Sequence, residues 1–91
     1  MAVTVRIPTQ LRELSGGASE LSAEPGTVES VLRALETAHP GFGERLFDES
    51  GELRRFVNVF VAEEDIRFLD GVNTAVADGT TVSIVPAVAG G

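Results

Sequence analysis

The stretch RFVNVFVAEED, residues Arg55 to Asp65, carries the strongest β-strand pattern in the chain. Its side chains alternate between two faces, with Val57, Val59 and Val61 on one and Phe56, Asn58 and Phe60 on the other. Both faces are largely apolar, but a single helix can cover only one of them. The second face therefore either packs against loops and the segment 42–47, or stays exposed as a surface for a partner.

An antiparallel hairpin is predicted upstream of this strand. In AVTVRI, residues 2–7, the residues Val3, Val5 and Ile7 share one face, which predicts a half-buried strand. SELSA, residues 19–23, is a weaker second strand, and Gly16 and Gly17 mark the turn between the two.

One long amphipathic helix follows the hairpin. Thr27 is a suitable N-cap for VESVLRALETAH, and His39-Pro40-Gly41 ends the helix. Apolar side chains recur with helical spacing and predict one buried stripe: Val28, Val31, Leu32, Leu35 and Ala38.

The remaining segments are shorter. Phe42, Leu46 and Phe47 predict a turn that packs on the core, and residues 48–52 an exposed loop. Residues 66–68 are predicted to form a short strand. Asp78-Gly79 marks a turn before the last strand, TVSIVPAV, in which Val82 and Ile84 point inward.

This order of elements predicts an α+β fold of the ubiquitin-like β-grasp type. A mixed sheet of four to five strands would pack on one main helix, with the first and last strands parallel at its centre. We expect residues 1–86 to form this domain and residues 87–91 to form a flexible tail that ends in Gly-Gly.

Composition excludes several function classes. The chain has 91 residues, no cysteine, one histidine and a net charge of −7, which together argue against disulfides, thiolate ligands and multi-histidine metal sites. The acidic charge disfavours nucleic acid and anionic membranes as partners. The chain shows neither a signal-peptide pattern nor a long apolar run, so we expect a cytoplasmic protein.

The last six residues, PAVAGG, carry the candidate chemistry. Two compatible roles remain open for Pro86: it ends the last strand because it lacks an amide donor, or it forms a stiff base that directs the tail outward. The small residues Ala87, Val88 and Ala89 would let the tail enter a narrow slot in another protein. Gly90 lacks a side chain, and Gly91 offers a carboxylate that no Cβ shields from attack. Conversion of that carboxylate to an acyl-adenylate would give it a good leaving group.

The chain resembles the ThiS/MoaD family of sulfur-carrier proteins, which are prokaryotic relatives of ubiquitin. The resemblance covers the whole chain and rests on FVNVFVAEEDIRF and on ADGTTVSIVP leading into PAVAGG. It is nearest to the carriers of thiocarboxylate-dependent cysteine biosynthesis.

This resemblance implies a protein substrate, not an enzyme, with no catalytic residue, metal or bound cofactor of its own. An E1-like enzyme would adenylate Gly91 with ATP and magnesium and convert it to a thiocarboxylate. The acceptor would be a PLP-dependent cysteine synthase or another thiolating enzyme, including enzymes of sulfur-containing natural products. A metalloprotease would restore the Gly-Gly end.

Three other functions remain open: the small subunit of molybdopterin synthase, a ubiquitin-like protein modifier, and a β-grasp binding module without tail chemistry. Val57, Val59 and Phe60 are the candidate partner surface. We expect no arginine near the root of the tail, so that ionic steering comes from the acidic surface meeting a basic partner.

Overall fold

The computed structural model describes residues 2–54 and 57–86. Within these residues, seven strands and two helices follow one another. They are β1 (Val3–Arg6), β2 (Glu20–Ala23), β3 (Gly26–Thr27), α1 (Val28–Ala38), α2 (Phe42–Leu46), β4 (Val57–Val61), β5 (Glu64–Asp65), β6 (Ala75–Val76) and β7 (Thr81–Pro86). Short 3-10 turns lie at Thr9–Leu11, Ile66–Phe68 and Gly71–Asn73.

The main sheet has five strands in the order β2-β1-β7-β4-β5. β1 and β7 are parallel, whereas the other three pairs are antiparallel. The α+β prediction is therefore confirmed, and so are the N-terminal hairpin and the parallel pairing of the first and last strands. The last strand lies in the middle of the sheet, between β1 and β4.

One apolar core holds the sheet and the main helix together. The alternation in β1, β4 and β7 places one side chain in two on the inner face, as their sequences predict. The buried residues of these strands are Val3, Val5, Val57, Val59, Val61, Val82 and Ile84, and Ile7, directly after β1, belongs to the same core. The helix contributes Val28, Val31, Leu32 and Leu35 to the same cluster.

The start of α1 is fixed by a capping box, in agreement with the predicted N-cap. The Thr27 hydroxyl accepts a hydrogen bond from the Ser30 backbone N–H at 3.2 Å, and the Ser30 hydroxyl accepts one from the Thr27 N–H at 3.0 Å. The prediction for Ala38 is wrong, because this residue is exposed. It occupies the last helical position, where the chain turns away from the core at His39.

The segment after α1 packs on the core as predicted. Phe42, Leu46 and Phe47 are all buried. Gly41 permits this course, since its φ of 113° lies in the region that residues with a Cβ rarely adopt. On the outer side of Phe47, the Arg33 guanidinium carbon lies 4.0 Å from the ring centroid, a cation–π contact that ties α1 to α2.

Two further features differ from the sequence prediction. Residues Ile66–Phe68 form a 3-10 turn and not a strand, because Asp65 caps them by accepting a hydrogen bond from the Arg67 N–H at 2.9 Å. The edge strand that follows β4 in the chain and pairs with it is instead Glu64–Asp65. A small second sheet, β3 with β6, was not predicted, since each strand has two residues and no alternation to detect.

No helix within residues 2–54 and 57–86 is long and apolar enough to cross a membrane.

Candidate functional site

The C-terminal part of β7, residues 82–86, leads to the tail and lies in the middle of the sheet. We refer to it as the tail root. β7 pairs with β4 over five positions, from Val61↔Val82 to Val57↔Pro86. The predicted site residues Ala87, Val88, Ala89, Gly90 and Gly91 lie outside the described residues. Pro86 is the last described residue of β7, so any chemistry on the tail starts from a strand that is still paired with β4 at that residue.

The two sides of this root are not equivalent. On the β1 side the pairing ends at Arg6↔Ser83, because Ile7 and Pro8 lead into the 3-10 turn Thr9–Leu11. An open cleft of about 670 Å³ lies where β1 leaves β7. It is lined by Arg6, Ile7, Pro8, Thr9, Gln10, Arg12, Ser19, Glu20, Ser83, Ile84 and Val85.

Two arginines border this cleft. Arg6 is exposed at the end of β1, with Glu20 as its register partner on β2. Arg12 is half-buried, and its Nε donates a hydrogen bond to the Ile7 carbonyl oxygen at 3.1 Å. The expectation that arginine is absent near the tail root is therefore wrong. The arginines are distant from Val85 in sequence, but the parallel β1/β7 pair brings them beside it.

The predicted partner surface is divided between the two faces of the sheet. Val57 and Val59 are 1% and 0% exposed, since they face α1 in the core. No partner can contact them in this conformation, so they do not belong to a docking surface. Phe60 faces the other way, is half-buried and has Ser83 as its register partner on β7. Phe60 alone therefore remains a candidate for partner contact.

The outer face of the sheet is not the continuous apolar strip that one of the sequence interpretations required. A row of register partners crosses this face through Glu20, Arg6, Ser83, Phe60 and Asp65. Next to this row, Val85 is 44% exposed on β7, opposite Asn58 on β4. The face beside the tail root thus combines one aromatic and one aliphatic side chain with polar and charged neighbours.

Within the part of the chain that the structure describes, no group of three or more histidine, aspartate or glutamate residues is placed to hold a metal ion. The acidic run of residues 63–65 is split by the hairpin, in which Ala62 and Glu63 form the turn and Glu64–Asp65 form β5.

Comparison with known proteins decides the family. A family model described as the ThiS family matches residues 5–91. The chain belongs to the ThiS family. The match includes both the sheet and the Gly-Gly end, so it covers the fold and the candidate site together.

Three proteins of known name or structure are similar to this ThiS-family chain. It is 52% identical to "Sulfur carrier protein CysO" of Mycobacterium tuberculosis, over 100% of both chains. A chain in the crystal structure of the Amycolatopsis orientalis BexX/CysO complex shares 47% identity and a TM-score of 0.91, with 99% of this chain and 100% of that chain covered. "Small archaeal modifier protein 3" of Haloferax volcanii is 44% identical over 75% of this chain and 73% of its own length.

The chain is thus homologous to the CysO sulfur carriers and has the β-grasp fold of ubiquitin-like proteins. Its close homologues are named as carriers and not as enzymes.

Proposed function

We propose that this protein is a sulfur carrier whose C-terminal Gly91 carboxylate is converted to a thiocarboxylate. The full-length identity of 52% to the sulfur carrier CysO is the observation that supports this function best. The family match extends to Gly91, so the similarity includes the residue that would carry sulfur.

The proposed reaction takes place in an E1-like partner enzyme that uses ATP and magnesium. A Gly91 carboxylate oxygen attacks the α-phosphorus of ATP, and pyrophosphate leaves. A sulfur nucleophile then attacks the carbonyl carbon of the acyl-adenylate, and AMP leaves with the carboxylate oxygen. After transfer of the sulfur, the carbonyl carbon carries sulfur in place of that oxygen. No cysteine of the carrier is needed, in agreement with its composition.

In this proposal the globular domain positions the tail. β7 is paired on both sides up to Arg6↔Ser83 and on the β4 side as far as Pro86. A rigid root limits the volume that five small residues can search, which raises their concentration at a partner's active site.

The proposed acceptor is a PLP-dependent cysteine synthase or another thiolating enzyme. The thiocarboxylate sulfur would take the place of the leaving group of an activated serine derivative, and the resulting thioester would rearrange to an amide. A metalloprotease would then hydrolyse this amide, which releases cysteine and restores the Gly91 carboxylate. The relative in the BexX/CysO complex supports docking of a protein partner on this type of carrier. Synthesis of other sulfur-containing natural products and of molybdopterin would use the same thiocarboxylate.

Intact-protein mass spectrometry tests the function. The chain is incubated with an E1-like enzyme, ATP, magnesium and a sulfide source. We expect the mass gain for replacement of one oxygen by sulfur, located in the C-terminal peptide. Deletion of Gly90 and Gly91 should abolish the gain. So should one alanine appended after Gly91, which keeps both glycines but moves the carboxylate. An unchanged mass for the wild-type chain with a panel of such enzymes would reject the proposal.

A second candidate function is covalent modification of other proteins. The similarity to small archaeal modifier protein 3 favours it. The activated Gly91 would then form an isopeptide bond with a lysine of a target protein. Peptide mass spectrometry of a trypsin-digested cell extract distinguishes the two, because only the modifier leaves its C-terminal peptide, residues 68–91 after cleavage at Arg67, on lysines of other proteins.

A further inference from the structure

An exposed aromatic residue lies in the turn that follows β5. Phe68 is 85% exposed and its neighbour Leu69 is 39% exposed. Large apolar side chains grouped on a surface often mark a place where another molecule binds. We refer to these two residues as the Phe68–Leu69 tip.

The tip is carried by a fixed turn. Ile66, at its base, is 2% exposed and belongs to the core. The Asp65 carboxylate caps the turn, and the Leu69 N–H donates to the Ile66 carbonyl at 2.9 Å. The backbone therefore presents Phe68 and Leu69 in one place, which lowers the entropy lost when a partner covers them.

The tip lies at the end of the sheet from which the tail emerges. The Arg67 Nη2 donates to the Val57 carbonyl oxygen at 3.4 Å, and Val57 is the register partner of Pro86. Neighbouring strands lie about 4.8 Å apart, so only the width of β4 separates the end of the Arg67 side chain from Pro86. A standard interface buries about 800 Å² on each partner, a disc of roughly 16 Å radius, so a protein that surrounds the tail root would also reach the tip.

Charge defines what kind of surface can cover the tip. Residues 63–70 contain four carboxylates, Glu63, Glu64, Asp65 and Asp70, against the single arginine Arg67. A second copy of this chain would bring two such acidic rims together, which like-charge repulsion opposes. A partner with an apolar pocket and a basic rim would complement the tip.

We propose that the Phe68–Leu69 tip docks in an apolar, basic-rimmed pocket of the E1-like enzyme that activates Gly91. This inference rests on the proposed function. The activating enzyme must select the carrier before any sulfur is attached, and the residues of the tail are small and offer little apolar area. Contacts with the domain must therefore supply much of the selectivity.

Steady-state kinetics of thiocarboxylation tests the proposal, with the purified E1-like enzyme that charges the wild-type chain. We expect the double variant Phe68→Ser/Leu69→Ser to raise the KM for the carrier roughly tenfold or more, with kcat nearly unchanged, because an interaction that stabilises the ground and transition states equally affects only binding. Phe68→Leu, with Leu69 intact, should recover most of the affinity. Ala38→Ser, at an exposed position on α1, is the matched control and should behave as the wild type.

Each result of these measurements either supports or overturns the proposal that the tip docks in the activating enzyme. Thermal unfolding of the double variant should match the wild type, since both side chains are exposed. An unchanged KM for the double variant overturns the docking proposal, whereas the proposed function stands because the wild-type chain is charged. A kcat loss without a KM change also overturns it. Dimerisation of the wild-type chain through the tip, abolished in the double variant, would assign the tip to self-association instead. If no E1-like enzyme charges the wild-type chain, both proposals fail.

Discussion

Val5 of the first strand and Val82 of the last strand are register partners in the parallel pair β1/β7, and both are 0% exposed. Val61 of β4 is the register partner of Val82 on the other side. The strand that leads to the tail thus lies between buried valines of two neighbouring strands. The strand that leads to the proposed sulfur-carrying terminus therefore lies in the middle of the sheet.

This arrangement predicts that the inner face of β7 determines the stability of the tail root. Val82→Ala should lower the free energy of unfolding by about 2–3 kcal/mol, because it removes two buried methyl groups and leaves a cavity. Val85→Ala makes the same chemical change on the same strand at a side chain that is 44% exposed, and should cost less than about 1 kcal/mol. Urea denaturation of the two variants measures the difference. Equal losses would contradict the assigned faces of β7.

The turn between β4 and β5 stores backbone strain that glycine would release. Ala62 and Glu63 have φ of 51° and 74°. Both values lie in the left-handed region, which a two-residue type I′ hairpin turn requires at both of its central residues. Glu63→Gly should raise the free energy of unfolding by about 1 kcal/mol.

The neighbouring position is the matched control for this turn. Glu64→Gly removes the same side chain from a residue in β5, where glycine has no conformational advantage, and should lower stability by about 0.5–1 kcal/mol. Thermal and urea unfolding of both variants test the pair. A destabilised Glu63→Gly variant would show that the side chain matters more than the backbone conformation.

The loop after α2 predicts a dependence on pH. The Ser50 hydroxyl donates to the Asp48 carboxylate at 2.6 Å, and the Glu52 backbone N–H donates at 3.1 Å. These hydrogen bonds, that of the Ser50 side chain first, lower the pKa of Asp48 below its ordinary value of 3.8. Because the folded pKa is lowered, the stabilisation by Asp48 is complete above the ordinary value and is lost as the pH falls through the folded pKa.

An NMR titration of the Asp48 carboxyl carbon measures this pKa directly. Ser50→Ala should raise it towards 3.8, since it removes the hydrogen bond with the largest effect. Ser22→Ala, at an exposed position on β2, is the control and should leave it unchanged. A midpoint that is the same in the Ser50→Ala variant and the wild type would refute the assigned cause.

Much of the fold could be predicted from sequence because its main elements have clear periods. The alternation in β1, β4 and β7 and the stripe of α1 each identify a buried face. The pattern failed where elements are too short to show a period, as in β3, β6 and the 3-10 turn at Ile66–Phe68. There, single hydrogen bonds such as the Asp65 cap decide the conformation.

The site was harder to predict than the fold. The Gly-Gly end can be recognised in the sequence. The residues that surround the end of β7, however, depend on the order of the strands in the sheet. Arg6 and Arg12 reach the cleft beside Val85 only because β1 lies parallel to β7. Both faces of β4 are largely apolar in the sequence, so the pattern does not show which face is buried. The sequence prediction therefore groups the inner Val57 and Val59 with the outer Phe60 in one partner surface.

The last prediction compares neighbouring residues on opposite faces of β4. Phe60 is half-buried on the outer face, next to Ser83 of the tail strand, whereas Val59 is 0% exposed in the core. If the outer face contacts the activating enzyme, Phe60→Ala should raise the KM for the carrier in thiocarboxylation by roughly tenfold. It should lower the free energy of unfolding by only about 1–2 kcal/mol.

Val59→Ala should show the reverse. Loss of a buried side chain should cost about 2–3 kcal/mol of stability. At a temperature where the variant remains folded, its KM should equal that of the wild type, because no partner reaches this side chain. Kinetics and urea denaturation of the two variants, measured side by side, separate docking from folding. An unchanged KM for Phe60→Ala would show that the outer face of β4 is not part of the docking surface.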